Sequence, residues 1–180
     1  MSDHSITIVP RKSSYENNIA KAQEIVNWLI SKDIVKSVLS DCILSESTGY
    51  AVSEGAKKVT DFPESLPFHL TVNGLEIITN REVFHTGETG MLNCICPDCG
   101  NDIAQEEWMF IEYWFCHETD LSPCPFCDAD IAIHEMKIQP PWGFSNLGFK
   151  FWNWPDFKRE FIDEFQNVLN CEIVVVNQHI

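Results

Sequence analysis

The feature that most constrains this 180-residue chain is a pattern that occurs twice. Cys96-Pro97-Asp98-Cys99 and Cys124-Pro125-Phe126-Cys127 are two Cys-x-x-Cys pairs, each with proline after its first cysteine, separated by residues 100–123. In a turn of this kind both thiolates can reach one ion, and backbone N–H groups of the turn hydrogen-bond the sulfurs. Gly100 follows the first pair directly and supplies the positive φ that commonly closes such a turn. Two turns complete a tetrahedral, closed Zn²⁺ site, so Cys96, Cys99, Cys124 and Cys127 are the expected metal ligands. Four thiolates suit iron as well; zinc is the expectation for a cytosolic chain.

Three other uses of these cysteines fit less well. Disulfides require an oxidising compartment, and the first thirty residues interleave Asp3, Arg11, Lys12, Glu16, Lys21 and Glu24 with apolar positions, which leaves no signal-peptide core. No apolar run is long enough to span a membrane, and a cytoplasmic location is expected. A thioredoxin-like dithiol needs one pair and leaves the other unexplained. Pro123-Cys124-Pro125-Phe126-Cys127 matches half of the zinc deaminase signature, but the chain has no His-x-Glu. Its nearest substitute, Cys116-His117-Glu118, lies too close to Cys124 to occupy a separate helix. Across residues 94–128 the pattern resembles the zinc-ribbon and rubredoxin-like families of four-cysteine knuckles, with a somewhat longer intervening segment. That resemblance implies a small β-rich lobe around a structural metal. Of the remaining cysteines, Cys94 is expected in a strand entering the first turn, Cys42, Cys116 and Cys171 in apolar cores, and His117 in a solvated loop.

The charge follows the same segment. The chain has 12 basic and 27 acidic residues, a net charge of −15. From Glu82 to Glu135 there is no Lys or Arg, while twelve acids occur, Glu106, Glu107 and Glu112 among them. Such a stretch repels phosphate backbones and anionic membranes, which exclude direct nucleic-acid or membrane binding as expectations. It attracts a basic protein partner and accelerates association with it.

The two chain ends look alike. Ile6-Thr7-Ile8-Val9 reads as a strand, Ser13-x-x-Glu16 as a capping box, and Ile19, Ala22, Ile25, Val26, Leu29 and Ile30 as the apolar face of a helix to about Lys32. Ile34 to Leu39 and Cys42 to Leu44 follow as a strand with an irregularity. Asn73-Gly74 predicts a two-residue hairpin turn between 70–72 and 75–78. Ile131 to Ile138 reads as one strand before Pro140, and an aromatic loop follows. Pro155 then opens a helix with Phe157, Phe161, Ile162, Phe165, Val168 and Leu169 on one face, and Cys171 to Val176 closes the chain as a strand. The expected fold class is α+β. Residues 1–89 and 131–180 would form one ferredoxin-like or related split β-α-β sheet, with 90–130 as an inserted zinc-ribbon lobe.

Two aromatic segments remain. Trp108 to Phe115 fits helix and strand templates equally and is too apolar to be covered by a small lobe alone, so it docks on the main sheet or faces a partner. The seven aromatics between Trp142 and Phe157 read as core and inter-lobe packing, or as anchors for a protein partner. Signatures of catalysis are missing. Gly49 to Lys57 has the wrong spacing for a phosphate loop, and no Gly-x-Ser-x-Gly or His-Glu-x-x-His occurs. The leading expectation is a non-enzymatic zinc protein that binds a basic partner, as an immunity or inhibitor protein or an adaptor does. The alternative is an enzyme of unfamiliar type with a cleft between lobes carrying His85, Glu88 or His134.

Overall fold

The computed structural model describes residues 3–106, 108–117 and 119–180, with the His117 side chain outside that description. Its first part is β1 (His4–Pro10), α1 (Asn18–Ser31), β2 (Val35–Ser40), β3 (Gly49–Val52), β4 (Gly74–Ile78), β5 (Glu82–Phe84) and β6 (Asn93–Ile95). Then come α2 (Met109–His117), β7 (Leu121–Pro123), β8 (Asp130–Ala132), β9 (Lys137–Gln139) and β10 (Gly143–Ser145). β11 (Gly148–Trp152), α3 (Arg159–Leu169) and β12 (Ile173–His179) end the chain.

The fold is mixed α+β. Six strands form one antiparallel sheet in the order β12-β1-β11-β4-β3-β2, so both chain ends meet in adjacent strands, with Ile8 opposite Val175. Three two-stranded ribbons, β5-β10, β6-β9 and β7-β8, accompany it. The sheet alternation places Ile8, Phe149, Phe151 and Leu75 on one face, where Ala22, Ile25 and Leu29 of α1 and Phe161, Phe165 and Leu169 of α3 cover them. Trp28 stacks on Phe161 with centroids 5.8 Å apart, and Phe149 meets Phe165 edge-on at 5.1 Å. Each fully buried ring contributes roughly 1.5–3 kcal/mol by transfer from water.

Several expectations shift at this level. The strand that feeds α3 is β11, in the segment read as an aromatic loop, because Phe149 and Phe151 alternate onto the helix face while Trp152 packs with Cys42 and Ile43 on the other. Residues 136–138 therefore do not mirror β1; β9 pairs with β6 instead. Ile131 to Ile138 is not one strand but β8, a 3₁₀ turn at Ile133–Glu135 and β9. No capping box forms: α1 begins at Asn18, Ile19 is left exposed, and Ser13 is buried in a different network. Asn73-Gly74 is not a hairpin turn. Gly74 opens β4, and the N–H groups of Asn73 and Gly74 both donate to the Cys42 carbonyl, at 3.0 and 2.8 Å. Glycine is needed there for space, since a Cβ would lie 2.2 Å from Cys42 Sγ.

The opposite face of the sheet carries Val9, Ile78 and Val176, packed with Phe84 from β5. The β5-β10 ribbon lies close upon it: a Cβ on Gly143 would stand 3.0 Å from Val9 Cβ. From this ribbon a second hydrophobic cluster extends over Met91, Cys94, Ile103, Phe110, Trp114, Ile131, Ile138 and Phe144, and it includes Cys96 and Cys124. The close approach at Gly74 gives a direct test. Gly74→Ala should lower stability in urea unfolding by about 2 kcal/mol through overpacking. Adding Cys42→Ala should recover part of that loss, whereas strictly additive effects would contradict the contact.

Candidate metal centre

Two knuckles with the same hydrogen bonding hold the four expected ligands. In the first, Gly100 N–H donates to the Cys96 carbonyl at 3.0 Å and Cys96 N–H to the Asn101 carbonyl at 3.0 Å. In the second, Asp128 N–H donates to the Cys124 carbonyl at 3.0 Å and Cys124 N–H to the Ala129 carbonyl at 2.9 Å. The residue after each pair takes a left-handed conformation, Gly100 at φ 73° and Asp128 at φ 58°. Glycine is free to do so, and aspartate is among the few other residues that visit this region. β6 and β7 lead into the two knuckles, so Cys94 lies in a strand as expected and is fully buried. Asp102 clamps the first knuckle from behind, its Oδ1 accepting from Cys94 N–H at 2.8 Å and Ala104 N–H at 3.0 Å; these bonds hold its carboxyl below the usual carboxylate range.

The four sulfurs of Cys96, Cys99, Cys124 and Cys127 lie within 4.8 Å of one another, and Cys99 Sγ is 3.8 Å from Cys124 Sγ. A tetrahedron with metal–sulfur bonds of about 2.3 Å has edges of about 3.8 Å. The cluster could therefore hold a metal ion such as zinc. Cys96 and Cys124 are buried, while Cys99 is exposed and Cys127 partly so. Cys99 N–H faces Cys96 Sγ at 3.5 Å, and Asn101 Nδ2 donates to Cys99 Sγ at 3.3 Å. Backbone hydrogen bonding at Asn101, joined by the neighbouring thiols, lowers the Cys99 thiol to about 7. The opposite holds at Cys127, which rises to about 12: the Ala129 N–H favours its thiolate but is outweighed by desolvation and by the sulfurs around it. Sulfurs so close cannot all ionise without a cation among them.

α2 ties this centre to the segments around Ser13 and Arg81, and the 108–115 segment is helical from Met109 onward. Phe110 and Trp114 are buried in the small core, while Trp108, Met109 and Phe115 are exposed. Arg81 lies over the Trp114 ring, 3.8 Å from its centroid, and donates to the Trp114 carbonyl from Nε and Nη2. Trp114 Nε1 donates to Ser13 Oγ at 2.7 Å, and Ser13 Oγ is 2.8 Å from His134 Nε2. The serine oxygen thus sits between the indole and the imidazole, and the tautomer of His134 sets which of Oγ and Nε2 donates to the other. Burial lowers the His134 pKa, with Arg11 and Arg81 acting in the same direction against Asp120. Nothing in the sequence pattern pointed to this junction, because its members are far apart along the chain and each is unremarkable alone.

Ser13 and His134 have the spacing of a nucleophile and its base, while Ser13 is buried and its oxygen accepts from the Trp114 indole. His134 lines a cleft of about 420 Å³ with Arg11 and Trp142. His85 and Glu88 are not among the residues lining it; His85 is exposed, its Nδ1 accepting from Gly87 N–H at 3.0 Å. The aromatics from Phe144 to Trp154 are buried, which makes them packing residues rather than anchors. Cys42 is buried and Cys171 half-buried, but Cys116 is exposed on α2. Compared with protein-family models, curated proteins and solved structures, the chain has no significant match.

Three outcomes follow from this geometry. A Cβ on Gly100 meets nothing within 4 Å, so Gly100→Ala should cost only its backbone strain, about 1–2 kcal/mol in thermal unfolding. Asp128→Gly should be neutral or slightly stabilising in the same assay. For His134 the folded-state pKa lies below the ordinary 6.5, so the unfolded chain binds the proton first and stability falls as pH drops below about 6.5. Denaturant titrations between pH 7.5 and 6 should show a shallower pH dependence for His134→Gln than for the wild type. Equal slopes would contradict the assignment.

Proposed function

We propose that Cys96, Cys99, Cys124 and Cys127 hold one structural Zn²⁺, and that the protein is a non-enzymatic cytosolic binding protein whose acidic, metal-bearing segment docks on a basic protein partner, as an inhibitor, immunity protein or adaptor would. In this reading residues 90–130 are an inserted zinc-ribbon-like lobe, its core closed by residues up to Phe144. Residues 1–89 and 131–180 then form a ferredoxin-related sheet. Support for the latter comes from the two split units: β11 and β12 run parallel with β1 between them, joined by α3, and β1 and β2 run parallel, joined by α1.

The observation that carries the proposal is the coincidence, in one segment, of a four-thiolate cluster with exposed Trp108, Met109, Phe115, Leu121 and Phe126. Charge adds to it. Among the described residues of the basic-free stretch, Asp120 is the one acid in an ion pair, with Arg81 at 4.0 Å. Zn²⁺ bound by four thiolates carries a net charge of about −2, which deepens the negative field.

Protein purified without chelator should contain one zinc per chain by elemental analysis, and a single Cys→Ser change at any of the four positions should lose it and destabilise the lobe. Partner capture on the immobilised chain should weaken steeply with ionic strength and be abolished by Glu106→Lys with Glu112→Lys. Glu107, which belongs to the same acidic group in the sequence, lies outside the described residues. Capture indifferent to both salt and charge reversal would refute the docking reading.

A further inference from the structure

An open groove of about 460 Å³ runs between α2 and the second knuckle. Met109 and Tyr113 of α2 line it, with Pro123 and Pro125 from the knuckle, and Glu106 and Asp128 add carboxylates. Cys124 also lines it, so its shape is tied to the thiolate cluster. We propose that this groove is the docking site for a cationic, amphipathic segment of the partner protein, which inserts about two to three large apolar side chains and pairs its Lys or Arg with the groove's acids. The inference rests on the acidic docking reading above and narrows it to one surface.

Charge selects that occupant among those an apolar groove could take. Among the described residues neither Glu106 nor Asp128 has an ion-pair partner, and no Lys or Arg occurs in the sequence between residues 82 and 135. A second copy of this chain, at net −15, would bring like charge to the same place, and nucleic acid or an anionic membrane would do the same. A purely polar cationic segment would leave the methionine and the two prolines in water. The apolar floor and acidic rim are both matched only by a segment carrying apolar anchors among cations.

The test uses the 180-residue chain loaded with zinc and a fluorescein-labelled peptide of leucine and lysine with its leucines at helical spacing, read by fluorescence anisotropy. Two control peptides replace leucine by serine or lysine by glutamate. The leucine–lysine peptide should bind at low salt, and both controls should bind at least about tenfold more weakly. Met109→Lys, at a residue 41% exposed, should weaken binding about tenfold or more, while Val38→Lys on the distant β2, 73% exposed, should change it less than about twofold. Pro125→Lys on the opposite wall supplies an independent variant, with retained zinc content as the check on folding. Equal effects of Met109→Lys and Val38→Lys, or equal binding of the serine–lysine peptide, would remove the groove and leave acidic docking standing. No binding of the leucine–lysine peptide at low salt would overturn the groove proposal, and equal binding of the leucine–glutamate peptide would overturn both readings.

Discussion

The convergence of four cysteine sulfurs within 4.8 Å is the constraint on which the smaller half of this molecule depends. Thiolates at that distance repel one another, so ionisation of all four would need a cation among them. Two of the four, Cys96 and Cys124, are built into the hydrophobic cluster that runs from Met91 to Phe144. Short ribbons of three residues each, such as β6, β7 and β8, do not sustain independent structure. In the proposed holo-protein, metal binding and formation of this small core are one event, and the binding energy is folding energy.

α2 links the cysteine centre to the segments that follow β1 and precede β5. Trp114 is fully buried, and its ring, its N–H and its backbone carbonyl engage three separate partners: Phe144 and the Arg81 guanidinium at the ring, Ser13 at the N–H, Arg81 again at the carbonyl. The same helix leaves Met109 and Phe115 in solvent. One short helix therefore serves as a buried tie on one side and an apolar surface on the other. That division explains a segment too hydrophobic for either role alone.

How much of this could be read beforehand depends on the range of the interaction concerned. The knuckles are local: spacing, proline and Gly100 specify them within a few residues, and the structure brings the same four sulfurs together. Helical stripes such as Phe161, Phe165 and Leu169 were equally legible. The sheet was less so. β11 was hidden because an alternating Phe-Lys-Phe run flanked by glycine and asparagine also reads as an aromatic loop, and its strand character comes from pairing with β1 and β4. Gly74 misled in the opposite way: Asn-Gly is a turn signal, yet here the glycine answers to Cys42, a residue distant in sequence. The Ser13–His134–Trp114 junction had no local signal at all.

X-ray absorption at the metal edge of the purified protein measures the central claim most directly, because it counts and ranges the donor atoms. Four sulfur scatterers at about 2.3 Å, with no nitrogen or oxygen in the shell, is the predicted result for a zinc ion held by Cys96, Cys99, Cys124 and Cys127. A shell of mixed sulfur and nitrogen or oxygen donors, or a metal content far below one per chain, would contradict it.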